Sequence, residues 1–347
     1  MQKKILPLDD KPPIMTYIYL AATLGIMSLN FDKLAPWFYS HFIQIFTGSQ
    51  CGAFGFFDMD FYDYPFLCCE RIKNSTLQNM GVDIEEFIKT CIDNQSYVMI
   101  KVDEYYLPNM PSYKYKNFLH DVFIYGYDEE NSCFDITCYG KSGLYSRDTI
   151  MMSDLKKALY IEENGDKDLT YIFKLRDHKA EFDLKLVTES IFDYVYSQNT
   201  SERLRPMKKP TRKRTYGIKT CMLLKKRLEE IIELGENSNK YKFDLRTFRL
   251  LWEHKKCMYD RLCYMCKNEY VKLDDNILEK YMEVVKSYNI LFNMATRLYY
   301  SKRFDIISRL VPILDKAIFD EQEVLLQILD ILTKNEMLKD KLNLKVC

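Results

Sequence analysis

Apolar and polar positions follow two rhythms along this chain, and the change falls near residue 180. Upstream the apolar runs are short and strand-like. Residues 97–102 (YVMIKV) are β-branched and aromatic. DVFIYGY at 121–127 faces CFDITCY at 133–139 across the polar turn Asp128-Glu129-Glu130-Asn131, which predicts an antiparallel hairpin. With that turn, Tyr127 is expected opposite Ser132, His120 opposite Tyr139, and Asp135 opposite Ile124. A further strand is predicted at 169–175, with a short helix at 153–160 before it. Asp83, followed by Glu85 and Glu86, signals a capped helix start. Two helices are predicted near the beginning, at 16–29 and 34–46, with Pro13 in the first turn of the first. Residues 48–66, rich in Gly, Phe, Tyr and Asp, read as an irregular aromatic surface or short strands.

From residue 182 the apolar period becomes 3.6 and stays there. One helix is expected to end near Gln198, with others at 217–234, 244–270, 275–301, 304–316 and 320–338. Helices followed by hairpin-connected strands and then an all-helical half describe an α+β domain, not a doubly wound sheet. The expected division is an α+β domain over 1–178 and an all-α domain over 179–347. The period breaks at 201–216, where Pro206 and Pro210 accompany Arg203, Arg205, Lys208, Lys209, Arg212, Lys213 and Arg214. This reads as a mobile basic loop.

Charge sharpens this division. The chain is neutral, yet residues 1–175 carry a net −8 and residues 176–347 a net +8. The basic half is suited to an acidic protein partner, unless the two halves simply balance one another. The basic loop lacks the interleaved aromatics of a nucleic-acid binder, so no nucleic-acid partner is expected. Residues 12–31 are uncharged and long enough to span a bilayer, but Thr16, Tyr17, Tyr19, Thr23, Ser28 and Asn30 within them suit a buried helix better. No membrane association is therefore expected. The early acidic residues Asp9 and Asp10 do not fit a signal peptide, and the 11 cysteines form no regular framework. Reduced thiols in a cytoplasmic protein are the expectation.

Candidate chemistry is sparse. With 11 glycines, no phosphate-binding or dinucleotide fingerprint occurs, and four histidines make a His-based metal enzyme an unpromising reading. No cofactor is implied. His254, Cys257, Cys263 and Cys266 share one predicted helix, but at 100° per residue they spread around it and cannot enclose one tetrahedral ion. Cys263 and Cys266 are expected to be core thiols, with His254 and Cys257 on the opposite side. No metal site follows. His120 is different. It opens the hairpin, where papain-like enzymes carry the general base for a Cys at the N-terminus of the first helix, oriented by an Asn or Asp on the neighbouring strand.

Three stretches, LPLDDKPPIMTYIYLAATLGIMSLNFDKLAPWFYSHFIQIF from Leu6 to Phe46, VDEYYLPNMPSYKYKNFLHDVFIYGY from Val102 to Tyr127, and FRLLWEHKKCMYDRL from Phe248 to Leu262, resemble the butirosin biosynthesis protein H N-terminal-like family. HDVFIYGYD at 120–128 is the most specific element. The resemblance implies a papain-like fold for the first domain, a place in natural-product or nonribosomal peptide assembly, and an acyl or peptidyl carrier protein and a peptide or amine as partners. The type member transfers an acyl group from a carrier protein to an amine. On this reading His120 matches the catalytic His. The nucleophile position falls near 15–17, where Thr16 replaces a Cys. The orienting position falls near Cys138 or Tyr139, without a carboxylate. Cys51, in a Gly-containing loop, is the alternative thiol. The expectation is a degenerate site that binds a carrier protein or peptide intermediate. The alternative is an acyltransferase that forms an amide from a carrier thioester and an amine, with His120 as general base.

Overall fold

In chain order, the computed structural model contains β1 (Lys3–Ile5), α1 (Ile18–Met27), α2 (Phe31–Ser40), β2 (Ile45–Gly48), β3 (Phe54–Phe56), β4 (Leu67–Lys73), α3 (Asn74–Asn79), α4 (Ile84–Asp93), β5 (Tyr97–Asp103), β6 (Leu119–Asp128), β7 (Cys133–Tyr139), β8 (Tyr145–Met151), α5 (Met152–Ala158) and β9 (Leu169–Leu175). Then come α6 (Leu184–Val195), β10 (Arg214–Tyr216), α7 (Lys219–Glu233), α8 (Leu245–Lys267), α9 (Asp275–Ser301) and α10 (Asp305–Lys334). The structure describes residues 2–48, 51–141, 143–162, 167–203, 213–234, 244–303 and 305–334. An antiparallel α+β part followed by an all-helical part is the fold class the residue pattern predicts. The chain forms two compact units, residues 1–34 with 59–179, and residues 35–58 with 180–347. The cut near 178 is thus joined by a second feature that the pattern did not reveal: residues 35–58 belong with the helical half.

The first unit is built on an antiparallel sheet with strand order β4-β9-β5-β6-β7-β8, and β1 pairs with the far end of β6. Its central helix, α1, is apolar on nearly every side and packs against β6, β7 and β9. The one hydroxyl in its buried middle, Thr23, donates to the carbonyl of Tyr19 at 2.6 Å, so no polar group is stranded. Among the described residues, no helix is long and apolar enough to cross a membrane. Pro12 and Pro13 lie in an extended arm before α1 and not in its first turn, since the helix begins at Ile18. The arm crosses α1 at Gly25, where an added Cβ would stand 2.8 Å from the carbonyl of Asp9. The second helix also shifts, to Phe31–Ser40. It stops before Phe42, whose φ of 58° is left-handed and whose N–H donates to Asp58.

The hairpin forms with a different register. Asp128 pairs with Cys133 and Gly126 with Asp135, and a bulge before Gly126 then sets Ile124 opposite Ile136, not opposite Asp135. The cause is the turn. The Asp128 carboxylate accepts from the N–H and side-chain amide of Asn131, and Ser132 takes a positive φ, so the turn closes one residue later than expected. His120 therefore lies beyond the last paired residues of β7.

The second unit packs α8 on α9, α9 on α10, and α7 and α6 on α10. The helices expected at 304–316 and 320–338 are, over the described residues, the single helix α10, Asp305–Lys334. The buried stripe continues through Leu314, Ala317, Ile318, Glu321, Val324 and Leu325, so nothing favours a stop between them. Segment 35–58 joins this unit through α8. Fully buried Arg261 donates from Nε to the carbonyl of Tyr39 at 2.6 Å and from Nη2 to that of His41 at 2.5 Å. His254 bonds the carbonyl of Ile43 at 2.7 Å. Small strand β2 then pairs with β3 on one side and with β10 on the other. Replacing Arg261 by Met should cost about 2–4 kcal/mol in urea unfolding, because two buried carbonyls lose charged donors. An unchanged midpoint would show that the segment is held by something else.

Candidate functional site

His120, the second residue of β6, lies opposite Val102 of β5. Directly after β5 the chain makes a 3-10 turn, Glu104–Tyr106. Asp103 builds this turn: its carboxylate accepts from the N–H groups of Tyr105 (3.0 Å) and Phe118 (2.9 Å) and from the Asn117 amide (2.5 Å). Desolvation pushes the Asp103 carboxyl up, but these three hydrogen bonds outweigh it and hold it below the usual carboxylate range. The Glu104 N–H donates to the carbonyl of Phe118, which closes the loop and sets the Glu104 side chain against His120.

The result is a His–Glu pair, with His120 Nδ1 2.9 Å from Glu104 Oε1. The Glu104 side chain is 3% exposed and that of His120 is 28% exposed. A buried carboxylate on Nδ1 favours the tautomer with its proton there and leaves the Nε2 lone pair as the basic position. The rings of Phe118 and Tyr139 flank the imidazole at 5.7 and 6.4 Å, and Phe118 is 44% exposed. The Tyr139 hydroxyl donates to the carbonyl of Met15, tying the arm before α1 to this end of the sheet.

The other expected site residues fare differently. Thr16 is buried, two residues ahead of α1. Cys138 does occupy β7 and is fully buried. Burial pushes its thiol up to about 12, and the carboxylates of Asp148 and Glu104 add to the effect. Cys51 belongs to the second unit. Burial pushes it up to about 11 despite the opposing pull of Arg227. Neither is an activated thiol. The orienting position was expected across the hairpin, near Cys138 or Tyr139; the carboxylate that meets His120 is instead Glu104, which arrives from β5 on the other side of β6. A carboxylate directly after a strand that pairs with the His-bearing strand was the signal available in the sequence.

The basic segment is described only at its two ends. Thr200–Arg203 forms a 3-10 turn, and Arg214 belongs to β10, with its guanidinium 4.1 Å from the centre of the Phe46 ring. Lys213 is exposed. Arg205, Lys208, Lys209 and Arg212, and the side chain of Arg203, lie outside the described residues.

The helical unit holds a denser set of titratable groups, all enclosed. Helix α8 is buried on more than one side, so His254 and Cys257 are fully covered, whereas Cys263 and Cys266, expected in the core, are only half-buried. Lys255 Nζ donates to Glu321 (2.8 Å), to the Tyr194 hydroxyl (2.6 Å) and to His254 Nδ1 (3.1 Å), which uses all three ammonium protons. Glu321 also accepts from the hydroxyls of Tyr194, Tyr281 and Tyr288. This network is complete within itself and presents no reactive atom to solvent. Among the described residues, no group of three or more His, Cys, Asp or Glu side chains is placed to hold a metal ion.

Burial, with Lys255 beside it, keeps His254 well below its ordinary pKa. The unfolded chain therefore takes up a proton below about pH 6.5 that the folded chain refuses. Stability should be full above that pH and fall by about 1.4 kcal/mol per unit as acidification proceeds. Urea unfolding between pH 7.5 and 5 measures this slope, and His254→Gln should flatten it. A slope that the substitution leaves unchanged would assign the effect to other groups.

No protein-family model matches the chain, and no curated protein matches it.

Proposed function

We propose that the first unit is a papain-like acyl-transfer module, related to the butirosin biosynthesis H-type proteins, in which His120 acts as a general base without a covalent acyl-enzyme. One observation supports this reading above the others: a partly exposed imidazole whose Nδ1 is held by a buried carboxylate. That is the arrangement a base needs.

The substrates proposed are a thioester on an acyl or peptidyl carrier protein and an amine. The amine nitrogen attacks the thioester carbonyl, and His120 Nε2 takes the proton released as the C–N bond forms. The C–S bond then breaks, and the imidazolium returns the proton to the departing thiolate. No thiol nucleophile is needed. This suits a chain in which Thr16, which the resemblance sets near the nucleophile position, is buried and Cys138 and Cys51 are held protonated by burial. The same buried Thr16 favours a second reading, in which the unit binds the carrier-linked intermediate and performs no chemistry.

Incubation with acyl-loaded carrier proteins and amines, with amide followed by mass spectrometry, separates the two. Under the catalytic reading, His120→Ala lowers the rate by about 10²–10⁴-fold. Glu104→Gln lowers it by roughly tenfold or more, because an amide cannot stabilise the imidazolium. Cys138→Ala and Cys51→Ala leave it unchanged. Amide formation that survives His120→Ala removes the base from the mechanism. Loss of activity in a Cys variant that still folds would restore covalent catalysis. Carrier binding without any product would leave the binding reading.

A further inference from the structure

The strand that carries His120 has a second chemical face. Side chains alternate along β6, so Asp121 points away from the His120 side. It lies opposite Lys101 of β5, and the two form an ion pair at 2.7 Å, each about four-fifths buried. This pair sits in a cleft of about 340 Å³ with Tyr19, Phe61 and Tyr171 among its walls and Lys167 among its lining. The size falls at the lower end of ligand pockets, about 300–1,000 Å³, with room for one small molecule. The aromatic walls form a continuous set: the Tyr19 and Phe61 rings are 5.4 Å apart, and those of Phe61 and Tyr171 are 5.2 Å apart.

Two features of the floor call for a ligand. Asp121 gives only Oδ2 to Lys101. Its Oδ1 is buried and has no hydrogen-bond partner among the described residues. A carboxylate with one oxygen unsatisfied is costly, and a small turn about its terminal torsion would share it between Lys101 and an incoming donor. The charges in the lining are also unequal, with Lys101 and Lys167 against Asp121. A cationic amine alone would meet two ammonium groups. An anion alone would leave the Asp121 oxygen unpaired. A zwitterion answers both.

We propose that this cleft binds a free aromatic α-amino acid, with its ammonium on Asp121, its carboxylate on Lys101 and Lys167, and its ring among Tyr19, Phe61 and Tyr171. The site goes beyond the acyl-transfer reading and does not depend on His120, so binding measured without any acyl donor tests it separately.

The test is isothermal titration of the full chain with L-phenylalanine, phenethylamine and 3-phenylpropanoate. Phenylalanine should bind at least about tenfold more tightly than either fragment, since each fragment lacks one charge-assisted contact. Asp121→Asn should weaken phenylalanine binding by about tenfold, and Lys167→Ala should weaken it several-fold. Lys167 is exposed, so its variant decides the matter if Asp121→Asn does not fold. Three results would overturn the assignment: either fragment binding as tightly as phenylalanine, no heat with millimolar phenylalanine, or unchanged affinity in every variant that folds.

Discussion

Three backbone carbonyls, of Tyr39, His41 and Ile43, determine how this chain is divided. They lie in a segment that leaves the first unit after α1 and must find donors where no water reaches. Helix α8 supplies them from Arg261 and His254. Burying a guanidinium is costly, and the desolvated Arg261 is held down to about 10 as a result. The arrangement persists because that charge meets directed acceptors. Asp58 reinforces it from within the segment, taking the Phe42 N–H and pairing with His41 at 2.8 Å. The helical unit is therefore not simply the C-terminal half of the chain.

A related logic runs through the interior of the helical unit. Lys255 and Glu321 are both fully buried, yet each ammonium proton has an acceptor and the carboxylate has several donors. Such a network is costly when half made and tolerable when complete. It contrasts with the His120–Glu104 pair, where the carboxylate is hidden and the imidazole remains open. Burial of one partner with exposure of the other is what separates a candidate reactive group from a structural one in this protein.

Much of the fold was legible because interior strands and amphipathic helices write their environment into the residue pattern. Strand β9 and helix α9 begin and end where periodicity placed them. Strands β4 and β8 were not read, and both lie at the edges of the sheet, where Glu70, Arg71, Arg147 and Asp148 interrupt the apolar alternation. Edge strands carry charges for good reason, and those charges hide them. The extent of helix α8 was read, but its buried face was not, for the opposite reason: it includes His254, Lys255 and Arg261, which an apolar count assigns to solvent. At the candidate site, His120 was visible as the opening residue of a strand. Glu104 was not, because its position depends on a turn capped by Asp103, and the expectation looked to β7 instead of β5. The hairpin register failed for a local cause, the Asp128–Asn131 turn and its compensating bulge.

The carbonyls of Tyr39 and His41 are separated from their donor on Arg261 by 222 and 220 residues of chain. During synthesis, the segment that carries them emerges long before α8 does, so it has to wait without its partners while the β-rich part of the chain is still being made. Contacts of such long range close slowly. The vulnerable interval in the life of this protein is therefore on the ribosome, when the aromatic residues of 35–58 have been released and the helix that will cover them has not.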